Sequence, residues 1–148
     1  MFDNTDEYYM REALKEAKKG FDADEIPVGA IIVCNDTIIA RAYNNTEKLK
    51  DVTAHAEMLA FTSATSTIGG KYLQNCTLYV TLEPCIMCAG AAAWTQIGRI
   101  VYGASDQKKG FSKISTNILH PKTKVTKGIL ADECETIIKQ FFNQKRKY

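Results

Sequence analysis

The plainest chemical signal in this 148-residue chain lies in His55-Ala56-Glu57 and Pro84-Cys85-Ile86-Met87-Cys88. One imidazole and two thiols make three metal ligands, and Glu57 is a carboxylate that need not be a fourth. Structural zinc is usually closed by four protein ligands. Three leave a corner for water, whose pKa zinc lowers to about 7. A carboxylate beside such a corner can move protons to and from a reacting base. The set points to metal-assisted hydrolysis.

The spacing says where these side chains must sit. His55 and Glu57 are two residues apart and would point to nearly opposite sides in mid-helix. They can share a site only in a first helical turn, and Thr53 is the expected cap of that helix. Cys85 and Cys88 are three apart, on one face of a second helix that Pro84 opens. Both sets thus fall at helix N-termini, where the positive end of the dipole favours thiolates. Cys-x-x-Cys alone also reads as a redox pair, and a single His is ordinarily a surface or core residue. Their conjunction favours zinc.

The elements needed to hold the ligands follow from periodicity. Residues 5–19 read as a helix, with Gly20 as its stop. Residues 26–34 read as a buried strand and 37–43 as its hairpin partner across Asn35-Asp36. Residues 44–53 form a loop, 53–68 a helix ended by Gly69-Gly70, 77–82 a strand and 84–96 an Ala-rich helix. Residues 99–103 are strand-like, 104–122 mostly loop with a short helix, 125–127 a short strand and 131–145 a helix. Strands alternating with helices after an opening hairpin predict an α/β sandwich around a mixed sheet. No repeat or linker divides residues 1–148, so one domain is expected.

Bulk composition excludes several classes. With 45% hydrophobic and 24% charged residues, the chain resembles a soluble globular protein. The longest apolar stretch, 86–94, is too short to span a bilayer. The acidic start, Met1 to Glu7, lacks the features of a signal peptide, and the expected location is the cytoplasm. Cys34, Cys76 and Cys134 are expected as reduced, buried packing residues. Net charge is +2, but residues 1–106 carry 9 basic and 14 acidic side chains, while 107–148 carry 10 and 3. Such asymmetry suits a polyanionic partner, although a solvated lysine-rich surface explains the charge equally well. Lys108, Lys109, Lys145, Arg146 and Lys147 are the candidates to track phosphates, with Phe141 or Phe142 offering an apolar surface. Core packing of the last helix accounts for at least one of these Phe residues.

The pattern H-x-E…P-C-x-x-C is that of zinc-dependent nucleobase deaminases. More closely, residues 25–30 (Glu-Ile-Pro-Val-Gly-Ala), 53–58 (Thr-Ala-His-Ala-Glu-Met) and 78–91 resemble bacterial tRNA-specific adenosine deaminases. Similar stretches continue through 102–104, 128–134 and Phe141-Phe142. The resemblance implies the cytidine-deaminase-like fold, a three-layer α/β/α sandwich with a central mixed five-stranded sheet. It also implies one zinc per subunit, a homodimer, and conversion of the wobble adenosine of a tRNA anticodon stem-loop to inosine. Carried over by position, His55, Cys85 and Cys88 match the zinc ligands, Glu57 the proton shuttle and Asn44 a base-binding Asn. Without the resemblance, Asn44 reads as a turn residue after a strand. Backbone N–H groups near Ala56 are placed to orient the base.

Departures from the family pattern lie in residues 106–120 and at Trp94, where core or dimer-interface packing is the expected explanation. Two rivals remain. A deaminase of a free base, guanine especially, would share the metal site. A non-catalytic zinc-stabilised RNA-binding module would need a fourth ligand, Cys34 or Cys76.

Overall fold

The computed structural model describes residues 5–115 and 117–146, so Lys147 lies outside the described residues. Five strands form one sheet: β1 (Gly29–Cys34), β2 (Thr37–Tyr43), β3 (Cys76–Leu82), β4 (Arg99–Ala104) and β5 (Lys124–Lys127). Their order is β2-β1-β3-β4-β5. β1 is antiparallel to β2 and β3, whereas β3–β4 and β4–β5 are parallel. The sheet is therefore mixed, as expected. Asn35 and Asp36 both have positive φ (50° and 60°), the backbone that a two-residue hairpin needs to match strand twist.

Helices cover both faces. α3 (Ala56–Ile68) and α4 (Ile86–Thr95) lie on one side, α1 (Thr5–Asp22) and α5 (Ala131–Arg146) on the other, and α2 (Thr46–Leu49) is a single turn after β2. Successive strand residues point to opposite faces, and the two cores divide accordingly. Ala30, Ile32, Leu78, Val80, Ile100 and Tyr102 pack toward α3 and α4, whereas Ile31, Val33, Tyr79 and Val101 pack toward α1 and α5. Burial on both faces explains why these strands read as continuous apolar runs. α1 approaches so closely that a Cβ at Gly29 would collide with the backbone of Ala13 and Ala17.

Several boundaries differ from the sequence reading. The first strand begins at Gly29, not 26, because Pro27 offers no N–H and Val28 N–H turns back to Ile26 O (2.9 Å). α1 passes through Gly20 to Asp22. The 44–53 loop contains α2, whose Glu47 and Lys48 amides donate to the buried Glu25 carboxylate (3.0 and 2.8 Å). Cys34 and Cys76 are direct partners across β1 and β3 and form a disulfide, correcting the expectation of free thiols. Cys134 is a buried free thiol. Among the described residues no helix is long and apolar enough to cross a membrane.

Candidate active site

The cap of α3 is His55 itself, not Thr53. His55 is extended (φ −71°, ψ 153°) and its side chain makes no capping bond. Thr53 instead gives both its N–H and its hydroxyl to Asp51 (2.8 and 2.7 Å), and Thr53 O receives the His55 N–H (2.8 Å). Cys85 occupies the same position on α4, extended and with no capping bond. Both side chains are thereby free to turn toward one point.

His55 Nδ1 lies 3.7 Å from Cys85 Sγ and 3.6 Å from Cys88 Sγ, and all three ligand atoms fall within 4.8 Å of one another. Zinc bonds of about 2.3 Å to sulfur and 2.0–2.1 Å to nitrogen, at tetrahedral angles, require an S···N edge of about 3.6 Å. The residues fit zinc. Among the described residues the cluster has three members, and Cys34 and Cys76, candidates for a fourth, are bonded to each other.

The electrostatics suit ligation. The Cys85 thiol falls to about 4, because Cys88 donates to it and His55 lies beside it. Cys88, the donor, is pushed up by that same bond and by burial. His55 is raised, chiefly by its bond with Cys85, while burial and, more weakly, Lys109 oppose the rise. Glu57, second residue of α3, is buried; desolvation pushes its carboxyl up to about 7 against the pull of its own backbone amide and of His55. A carboxyl near neutrality can both take and return a proton.

His55, Cys85 and Glu57 line a cavity of about 270 Å³, together with Ala56, Asn44, Val28, Leu82 and Lys109. The volume suits a single base rather than an extended chain. Asn44 is 7% exposed. Its amide nitrogen donates to Ile26 O (3.4 Å), and its Oδ1 is buried with no partner. Buried acceptors are rarely left so, which marks Oδ1 as waiting for a donor. Ala56 is the first residue of α3, buried at the cavity wall.

Comparison with known proteins decides the family. Residues 3–104 match the family described as the cytidine and deoxycytidylate deaminase zinc-binding region. The chain belongs to that family. It is 44% identical to the tRNA-specific adenosine deaminase of Bacillus subtilis (strain 168), over 96% of this chain and 91% of the relative. A solved chain from work on A-to-I editing by tRNA:A34 deaminases at the wobble position of transfer RNA has a TM-score of 0.82 at 38% identity. That match covers 88% of this chain and 98% of the other. Guanine deaminase of Bacillus subtilis gives 0.64 at 39%, covering 67% and 64%.

In this deaminase the basic candidates divide. Lys109 reaches the cavity wall, and with Lys108 and the half-exposed Phe142 it lines an adjoining groove of about 740 Å³. The groove shares Ile26, Leu82, Asp106 and Lys109 with the cavity. Phe141 is buried against Phe21, and Lys145 pairs with Asp24 (2.5 Å), so both tie α5 to the end of α1. Arg146 is exposed at the end of α5. Trp94 is 85% exposed on α4, which excludes core packing. From the sequence Glu83 reads as an ordinary surface residue with no chemistry; in the structure it is buried at the cavity and receives hydrogen bonds from the 106–112 loop. One signal could have found it: Glu83 is the single charged residue between Lys71 and Arg99.

Proposed function

We propose that this protein converts the wobble adenosine of a tRNA anticodon to inosine, acting in the cytoplasm as a homodimer. The observation that carries the reading is a base-sized cavity at the zinc ligands opening onto a larger groove edged by lysines and an aromatic ring. A free base would fill the cavity and leave the groove unused. A nucleotide splayed from an RNA loop uses both.

Zinc held by His55, Cys85 and Cys88 would supply a Lewis acid that makes water nucleophilic near neutral pH. Glu57 takes a proton from the attacking water on a carboxylate oxygen and delivers it to N1 of adenine. It then takes the remaining proton from the hydroxyl now on C6 and gives it to the amine leaving C6. The C6–O bond forms, the C6–N6 bond breaks, and ammonia departs. Asn44 Oδ1 offers an acceptor to the bound nucleoside, and the amides at the start of α3 face the base. Lys108, Lys109 and Arg146 meet phosphate, and Phe142 offers a stacking face.

The dimer reading is supported by α4, whose ten residues carry no charge and which presents Ile86 and Trp94 to solvent. An apolar helix face of this kind ordinarily marks an interaction site.

The test is incubation with total bacterial tRNA followed by sequencing, in which inosine reads as G, with guanine as a parallel substrate. A-to-G conversion at the wobble position and no ammonia from guanine is expected. Ammonia from guanine with unedited tRNA would overturn the reading.

A further inference from the structure

We propose that Glu83 is a positioning residue that sets the substrate-facing loop 105–113 against the zinc ligands, without itself touching the reacting atoms. Glu83 follows β3 and precedes Pro84-Cys85, and it is only 3% exposed. Its Oε1 accepts the Asp106 N–H (3.1 Å); its Oε2 accepts the Ser112 N–H (3.0 Å) and the Ser112 hydroxyl (2.5 Å). Three donors converge on two oxygens, an arrangement that two acceptor oxygens satisfy and a carboxamide, with one, does not. The carboxylate leaves no space for a side chain at residue 110, where a Cβ on Gly110 would overlap it.

The grip reaches the cavity through a short relay. Asp106, held by Glu83 through its amide, accepts the N–H groups of Lys108 and Lys109 on its own Oδ1 (both 3.0 Å). Lys109 then stands at the cavity wall and Lys108 along the groove. At its far end the loop is held independently. Phe111 is buried against Tyr102, its N–H bonds Pro84 O (2.9 Å), and Gly110 bridges Cys85. Phe111 therefore keeps the loop attached to the fold, and Glu83 fixes the arm that carries Asp106, Lys108 and Lys109. One residue thus couples the backbone of a metal ligand to the charges that meet the substrate.

In Glu83→Gln a single carbonyl oxygen remains. If it keeps Ser112, the amide NH₂ faces the Asp106 N–H, donor against donor; if it keeps Asp106, Ser112 is released. Ser112→Ala, at an exposed position, removes one bond and serves as the mild variant. Amide hydrogen exchange across 106–112 should quicken about tenfold in Glu83→Gln, the loss of one charged hydrogen bond, with α3 and α5 unchanged. Ser112→Ala should show a smaller change in the same segment. Zinc content should stay at one per chain. KM for an anticodon stem-loop should rise about tenfold with kcat altered less than about threefold, because lost positioning of Lys109 weakens binding rather than chemistry.

Unchanged exchange in both variants overturns the proposal, as does a fall in kcat with loss of zinc at constant KM. Only the kinetic arm rests on the tRNA reading. If the wild-type protein ignores the stem-loop, that reading fails, while exchange still decides the role of Glu83.

Discussion

Replacing Glu57 by Gln should make the metal-free protein more stable and the metal-loaded protein inert, and the size of the first effect follows from burial. In the folded chain, desolvation moves the Glu57 carboxyl from 4.5 to about 7. Its folded pKa is therefore above its unfolded one. Stability associated with the protonated form is fully present below about pH 4.5 and is lost as pH rises through about 7. The elevation corresponds to about 3 kcal/mol of strain at pH 8, and to under about 1 kcal/mol at pH 5. Gln is neutral at both. Urea unfolding of chelator-treated Glu57→Gln and wild type should show a gain of about 3 kcal/mol at pH 8 that shrinks to under about 1 kcal/mol at pH 5. Zinc restores a positive charge beside the carboxylate, so the metal-loaded pair should differ less. Turnover of the loaded variant should fall about 10²–10⁴-fold with zinc retained. An equal gain at the two pH values would refute the desolvation argument, and turnover within tenfold of wild type would remove Glu57 from the proton pathway.

Asn44→Ala removes an unpartnered buried acceptor together with the 3.4 Å amide bond to Ile26 O, so it should cost no more than about 1 kcal/mol in urea unfolding while raising KM about tenfold; an unaltered KM would mean that Oδ1 has no donor in the complex. If Lys108, Lys109 and Arg146 contact phosphates of a single-stranded loop, log Kd against log salt should have a slope of about 2. Lys109→Ala should lower it by about 0.7, whereas a flat response would deny phosphate contact. Trp94→Glu should shift sedimentation equilibrium from dimer to monomer without loss of helical signal, and a persistent dimer would place the interface elsewhere.

The sheet is legible in the sequence because β1, β3 and β4 are buried on both faces and so show as uninterrupted apolar runs. The ligand types and their placement at two helix starts are legible too, since only a first turn lets His55 and Glu57 face one site. The cap is misread, because Thr53 has the usual capping side chain, but Asp51 engages it and leaves the cap position to His55. The pairing of Cys34 with Cys76 is invisible across 42 residues of separation until strand order is known. Lys145 and Arg146 read alike by charge, and only the fold shows that Asp24 occupies the first. Glu83 reads as surface because its partners, Asp106 and Ser112, arrive from more than twenty residues downstream.

His55 and Cys85 sit where a helix prefers Ser, Thr, Asp or Asn, and each gives up about 1 kcal/mol by not bonding the first-turn amides that follow it. The chain is thus locally less robust at the two places where it is chemically competent. Lineages that lose the need for turnover should drift toward Ser or Asp at these positions, gaining sturdier helices and becoming inert. Laboratory selection for heat resistance alone should push the same way.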